Sequence, residues 1–262
     1  MSTDKPRSLL RLEYEKAAEA YLHSLPPEHF MEATPQARQR EITVESLALV
    51  HARRPEVQYF NELLIQYPHG RARRIRQVVP DNMVVVHPEP IRAVGSYDLP
   101  LQPVGPLWVM EYVSKGSERK DYEDSFRKYE RELKVPYYLL FYPDNQELTL
   151  FRYRGGKYVT ARANASGRYA IPQVDVEVAL LEGWARYWYE GELLPLPADL
   201  QRDLDESRRQ LLQAKEEARQ AQEEARQAQE QTQQARQEAE QERRQKERLL
   251  AQLRALGVDP AE

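Results

Sequence analysis

Apolar residues recur along the chain in three rhythms. Over residues 9–25, Leu10, Tyr14, Ala17, Ala18, Tyr21 and Leu25 keep helical spacing until Pro26-Pro27 stops them. A second helix is predicted to open at Pro35 and close at Arg54-Pro55, with Ile42, Leu47 and Val50 as its apolar positions. From Val57 to Tyr67 aromatic and aliphatic strand formers predict one strand, ended by Pro68 and Gly70. Two more strands are predicted at Asp81–His87 and Leu107–Val113. The five prolines between them, at 88, 90, 100, 103 and 106, predict a loop.

Tyr122, Phe126, Tyr129 and Leu133 fall at steps of 4, 3 and 4, which predicts an amphipathic helix ended by Val135-Pro136. Strands follow at Tyr137–Tyr142, Leu148–Tyr153 and Lys157–Val159. Val178, Leu181, Trp184, Tyr187 and Trp188 predict a further amphipathic helix over residues 176–190. The order is αβββαβ, an α/β class with a mixed sheet flanked by helices.

Beyond Pro195-Leu196-Pro197 the period becomes seven. Leu204, Leu211, Ala218, Ala225, Thr232, Ala239, Lys246 and Leu253 take one seam; Ser207, Ala214, Ala221, Ala228, Ala235, Glu242, Leu249 and Leu256 take the other. That is a coiled-coil signature with an alanine-rich seam, suited to spacing or homo-oligomerisation. All 24 aromatic residues precede it. The predicted units are a helical segment over 1–27, a domain over 28–195, a coiled-coil tail over 198–256 and a disordered terminus over 257–262.

Composition narrows the chemistry. The 262 residues include no cysteine, which excludes disulfides, thiolate zinc sites and cysteine nucleophiles. No apolar run is long enough to span a membrane, so a soluble, cytoplasmic protein is expected. A net charge of −4 argues against a surface that grips nucleic acid everywhere. Two basic clusters remain: Arg71, Arg73, Arg74 and Arg76, and Lys115, Arg119, Lys120, Arg127, Lys128, Arg131 and Lys134. Each is either a phosphate-binding surface or a solvated face. The histidines show no metal-ligand spacing, and no phosphate loop or serine elbow is present.

Two carboxylates stand in strand-like apolar surroundings. Asp81 precedes Met83-Val84-Val85-Val86, and Glu111 interrupts Leu107-Trp108-Val109-Met110 before Tyr112-Val113. An unpaired carboxylate there costs several kcal/mol, so a partner is required. A divalent cation is one candidate. For Asp81 a turn cap is the alternative, and for Glu111 an ion pair with Arg74 or Lys128.

The element order, Pro80-Asp81, Glu111-Tyr112-Val113-Ser114, and the stretches Lys120–Asp124 and Tyr137–Asp144 together resemble the restriction-endonuclease-like PD-(D/E)XK superfamily. Within it the chain is similar to the Uma-type endonuclease family abundant in cyanobacteria, over roughly residues 28–195. The resemblance implies metal-assisted phosphodiester hydrolysis of DNA. Asp81, Glu111 and the Tyr112 carbonyl would hold Mg2+ (or Mn2+), with Lys128 as the catalytic lysine and Arg74, Lys115 and Lys120 on the nucleic acid. A dimer formed through the nuclease domain or the tail is implied as well. This sequence departs from the pattern at Val113 and Ser125, where a lysine is expected. The alternative is therefore a catalytically silent nuclease-fold module used for binding or assembly.

Overall fold

The structure, a computed structural model, describes residues 6–25, 34–114 and 120–255, with the backbone alone at 120–122 and 254–255. It divides into two units, residues 1–197 and 198–262. Helix α1 spans Arg7–Ser24 and α2 spans Thr34–Arg53, as the helical spacing predicts. Thirteen strands follow in the described part of the first unit. A six-stranded mixed sheet runs β1-β4-β6-β7-β8-β9, built from β1 (Val57–Asn61), β4 (Asn82–Val86), β6 (Trp108–Tyr112), β7 (Tyr137–Tyr142), β8 (Glu147–Arg154) and β9 (Lys157–Thr160). Within this sheet only β6 and β7 pair in parallel, and the helical segment Lys120–Leu133 lies in the crossover between them.

The predicted strand over 57–67 is two strands. Glu62 takes a left-handed backbone (φ 47°) that ends β1 and redirects the chain into β2 (Leu64–His69). β2 joins a second, three-stranded sheet with β3 (Arg74–Val78) and β5 (Ser96–Asp98). Sequence reading missed both partners: β3 is hidden in the arginine cluster and β5 in the proline-rich loop.

The predicted helix over 176–190 is a β-hairpin, β11 (Val176–Leu181) and β12 (Trp184–Tyr189), in a four-stranded sheet with β10 (Tyr169–Ile171) and β13 (Glu192–Leu193). Both faces of β12 are largely buried, which erases the polar alternation that marks a half-exposed strand. The turn was the legible signal: Glu182 and Gly183 both have positive φ (53° and 83°), the two-residue geometry that matches strand twist.

Alternation on the central strands sorts two cores. Trp108, Met110, Tyr112, Tyr137, Leu139 and Phe141 pack against α2 and the four-stranded sheet. Val109, Val113, Tyr138, Leu140 and Tyr142 pack with β2, β3 and Tyr129 of the crossover. By this parity Glu111 belongs to the second face. The described residues of the second unit lie in one continuous helix, α3 (Pro197–Ala255), 59 residues long. Leu204, Leu211 and Leu249 on it are exposed. The predicted terminus 257–262 lies outside the described residues. No helix among the described residues is long and apolar enough to cross a membrane.

A Cβ at Gly183 would stand 3.2 Å from the Gln146 side chain on a left-handed backbone. Gly183→Ala is therefore expected to destabilise the protein by about 1–2 kcal/mol, and urea unfolding should show a lower midpoint with an unchanged m-value. An unchanged midpoint would show that the turn tolerates a side chain.

Candidate active site at the ends of β4 and β6

The site is set by strand register. Asn82 on β4 pairs with Met110 on β6, and Asn61 on β1 pairs with Asn82. Just past these ladders, Glu62 follows the end of β1 and Asp81 precedes β4, the Glu62 amide donates to the Asp81 carbonyl (3.1 Å), and Asp81 stands one register step from Glu111 of β6. Three acids in a row repel one another, and the surrounding elements answer that repulsion.

Arg40, on α2, lies between the first two. Its Nη2 donates to Asp81 Oδ1 at 2.9 Å and its Nη1 pairs with Glu62 Oε1 at 3.0 Å. The Arg40 and Asp81 side chains are 17% and 21% exposed, so the pair is shielded from water, whereas Glu62 is 61% exposed. The Tyr112 amide donates to Asp81 Oδ2 at 2.6 Å, so each oxygen of Asp81 has a donor. This amide immediately follows Glu111, which brings the Asp81 carboxylate beside the Glu111 backbone.

Glu111 is fully buried, and the Tyr129 hydroxyl donates to its Oε1 at 2.8 Å. A phenol from the crossover is thus one partner of this carboxylate. Burial, and then the neighbouring Glu111 charge, push the Tyr129 hydroxyl well above its ordinary value, so it remains a donor at neutral pH. Around it the helix is π-helical, over Lys120–Ser125 and Lys128–Leu133. Such widened turns are rare and frequently accompany functional sites.

Behind the acids a buried polar chain fixes the strands. The Tyr112 hydroxyl lies 2.7 Å from Asn82 Oδ1 and 2.6 Å from Thr43 Oγ1, and Thr43 Oγ1 lies 2.8 Å from the Tyr187 hydroxyl. Asn82 Nδ2 donates to Asn61 Oδ1 at 2.7 Å. One network therefore links α2, β1, β4, β6 and β12.

The structure brings Asp81, Glu111 and Tyr112 together. Lys128 is half-buried one residue before Tyr129, and its Nζ donates to the Gln77 carbonyl of β3 at 2.9 Å. Arg74 opens β3 and is exposed. Lys115 lies outside the described residues, as does the side chain of Lys120. Arg40 and Tyr129 escaped sequence reading in these roles. Tyr129 appeared only as part of an apolar stripe, and Arg40 contacts an acid 41 positions away. A usable signal existed in Gln36, Gln39, Arg40 and Thr43, a polar stripe on one face of α2 beside its apolar one.

An acid on β6 and an acid just before β4, with a helical crossover supplying the phenol, stand in an α/β fold with a mixed sheet. Residues 25–181 match the model of the Uma2 family, described as "Putative restriction endonuclease", and this is more than half of the chain. The chain belongs to the Uma2 family. Among solved structures it is similar to one titled "putative nuclease belonging to DUF820" from Anabaena variabilis ATCC 29413. The identity is 16%, the TM-score is 0.41, and the match covers 55% of this chain and 75% of that one. No curated protein matches the chain.

Buried phenols set an alkaline limit on stability. Burial raises Tyr129 and Tyr112 well above 10.0, and Tyr187 to about 12. The folded state thus holds these protons more tightly than the unfolded chain. That contribution is complete below pH 10.0, the ordinary phenol value, and drains as pH rises through the folded values. Thermal midpoints measured from pH 7 to 11 should fall above about pH 10. Phenolate absorbance of the buried tyrosines should rise together with unfolding rather than before it.

Proposed function

We propose that the chain is a metal-dependent endonuclease that hydrolyses phosphodiester bonds of DNA at the Asp81–Glu111 site. One observation carries the reading: the register that places Asp81 beside Glu111, fixed by the Tyr112 amide on Asp81. Membership of a family described as restriction endonucleases supports it.

The donor set suits a hard cation. The Asp81 carboxylate reaches the backbone next to Glu111, and among the described residues Gln36 Oε1 is buried without a hydrogen-bond partner, while its Nε2 donates to the Val113 carbonyl at 2.8 Å. No cluster of three or more His, Asp or Glu side chains forms a metal site among the described residues. Asp81, Glu111 and the Tyr112 carbonyl would therefore hold Mg2+ or Mn2+ with water and phosphate oxygens completing the shell, a habit of Mg2+. When bound, the cation supplies Lewis-acid polarisation of the phosphate and a more acidic water.

The chain's own residues prepare that site. Tyr129 orients Glu111, the Tyr112 amide orients Asp81, and Arg40 offsets the charge of Asp81. Lys128 supplies the positive charge that Val113 and Ser125 cannot, after releasing the Gln77 carbonyl. The same Arg40 contact favours a second reading, a nuclease-fold module that binds without cutting, because the guanidinium already satisfies Asp81.

In a Mg2+- or Mn2+-dependent assay on plasmid and linear DNA, Asp81→Ala and Glu111→Ala are expected to lower cleavage more than about 100-fold, beyond the loss typical of a residue that only orients a metal ligand. Lys128→Ala should cost about 10-fold or more. Cleavage untouched by Asp81→Ala and Glu111→Ala rejects the site, and wild type that binds DNA yet never cuts supports the second reading.

Removing Arg40 should open Asp81 to cations. Arg40→Gln is expected to tighten Mn2+ binding about 10-fold, measured by electron paramagnetic resonance without substrate. Equal or weaker Mn2+ binding by Arg40→Gln would mean that Arg40 does not compete for the site.

A further inference from the structure

The turn between β2 and β3 carries the strongest unopposed positive charge described in the first unit. Pro68–Arg76 holds four arginines and no acid. Gly70 (φ 70°) and Arg73 (φ 47°) make the turn tight, closed by the Arg73 amide on the Gly70 carbonyl at 3.1 Å. Arg71, Arg73 and Arg74 are exposed, and among the described residues their side chains make no hydrogen bond or ion pair. The described arginines of the crossover differ: Arg127 pairs with Asp124 and Arg131 with Glu130. A solvated face of mixed charge accounts for the crossover set and not for the hairpin.

The base of the hairpin is anchored to the active site. Glu132, with its side chain 6% exposed, accepts from the Tyr67 hydroxyl at 2.8 Å and pairs with Arg76 at 3.3 Å, so β2 and β3 are both fastened to it. Glu132 stands three residues after Tyr129, which holds Glu111, and Lys128 of the same segment binds the Gln77 carbonyl of β3. One short π-helical segment thus carries the hairpin at one point and a catalytic carboxylate at another. β3 runs directly toward Asp81. Arg73 lies eight positions before Asp81, an extended-strand span of about 26 Å, less than one turn of duplex DNA, about 34 Å.

We infer that the β2–β3 hairpin is a backbone clamp for duplex DNA, in which Arg71, Arg73 and Arg74 each neutralise a phosphate within one helical turn of the Asp81–Glu111 site. The proposal rests on the DNA reading of that site. It assigns the hairpin affinity and register on the duplex rather than base choice, because guanidinium–phosphate contacts position a protein without reading sequence.

The test measures binding of the full chain to a fluorescein-labelled duplex of about 30 base pairs, by anisotropy in EDTA, as a function of NaCl. The hairpin variant combines Arg71→Ser, Arg73→Asn and Arg74→Thr; asparagine tolerates the left-handed position and threonine suits the strand. A charge-matched control combines Arg154→Ser, Lys157→Ser and Arg162→Ser on and after the β8–β9 edge. The hairpin variant should keep the wild-type melting curve, weaken binding about 10-fold or more near 0.1 M salt, and flatten the log–log salt slope by about three, one per lost phosphate contact. The control should keep the wild-type slope. An unchanged slope in the hairpin variant, an equal loss in the control, or no duplex binding by the wild type overturns the clamp. Cleavage in Mg2+ is scored separately, so a wild type that binds with the steep slope but does not cut removes the nuclease reading and leaves the clamp standing.

Discussion

Arg40 holds together a place where the fold would otherwise push itself apart. Strand register forces Glu62, Asp81 and Glu111 into one row. Two unit charges about 5 Å apart repel by about 3 kcal/mol at an effective dielectric near 20. The guanidinium offsets that repulsion for Glu62 and Asp81 at once, and the Tyr129 phenol serves Glu111. These contacts also explain why α2 lies where it does. Its polar stripe supplies Arg40 to the acids, Thr43 to the buried hydroxyl chain and Gln39 to the Ala185 backbone of β12, while Ile42, Leu47 and Val50 fill the core beside them. A helix tied by such directional bonds has little freedom to slide.

The same balance gives the missing lysine its meaning. Val113 is buried in the second core, so the strand position where a lysine is expected has been given to packing. Ser125 is likewise buried. Positive charge at the acids comes from another direction, from Arg40 on α2, while Lys128 further along the crossover holds the Gln77 carbonyl of β3. The nuclease reading and the silent-module reading differ over whether those two residues yield their present partners.

Sequence patterns exposed the parts of this fold whose surroundings are uniform. The runs at Asn82–Val86, Trp108–Tyr112 and Tyr137–Tyr142 are continuous apolar strands because both sheet faces are covered, and an acid within or beside such a run stands out. What stayed hidden depends on single backbone angles or on contacts distant in sequence. The left-handed turn at Glu62 splits one apolar run between two sheets, and nothing in a glutamate announces it. Trp184–Tyr189 is so uniformly apolar that helical and strand periods fit it equally, leaving Glu182-Gly183 as the arbiter. Asp81 and Glu111 could be named because their oddity is local. Arg40 could not, because an arginine on a helix is ordinary until its partner is known.

The π-helical crossover has a consequence for how sequence length can change in this family. Each hydrogen-bonded ring of a π-helix holds one more residue than that of an α-helix. Here Tyr129 and Glu132 are both fixed from outside, one by the sheet and one by the hairpin. Loss of one residue between those anchors would return the turn toward α-helical spacing and swing one anchor off its partner. A gain or loss of one residue before Lys128 leaves both anchors in register and instead rotates what precedes them, including the Ser125 position. The segment therefore separates two kinds of length variation: one that breaks the scaffold, and one that re-aims side chains at the acids while the scaffold stays intact.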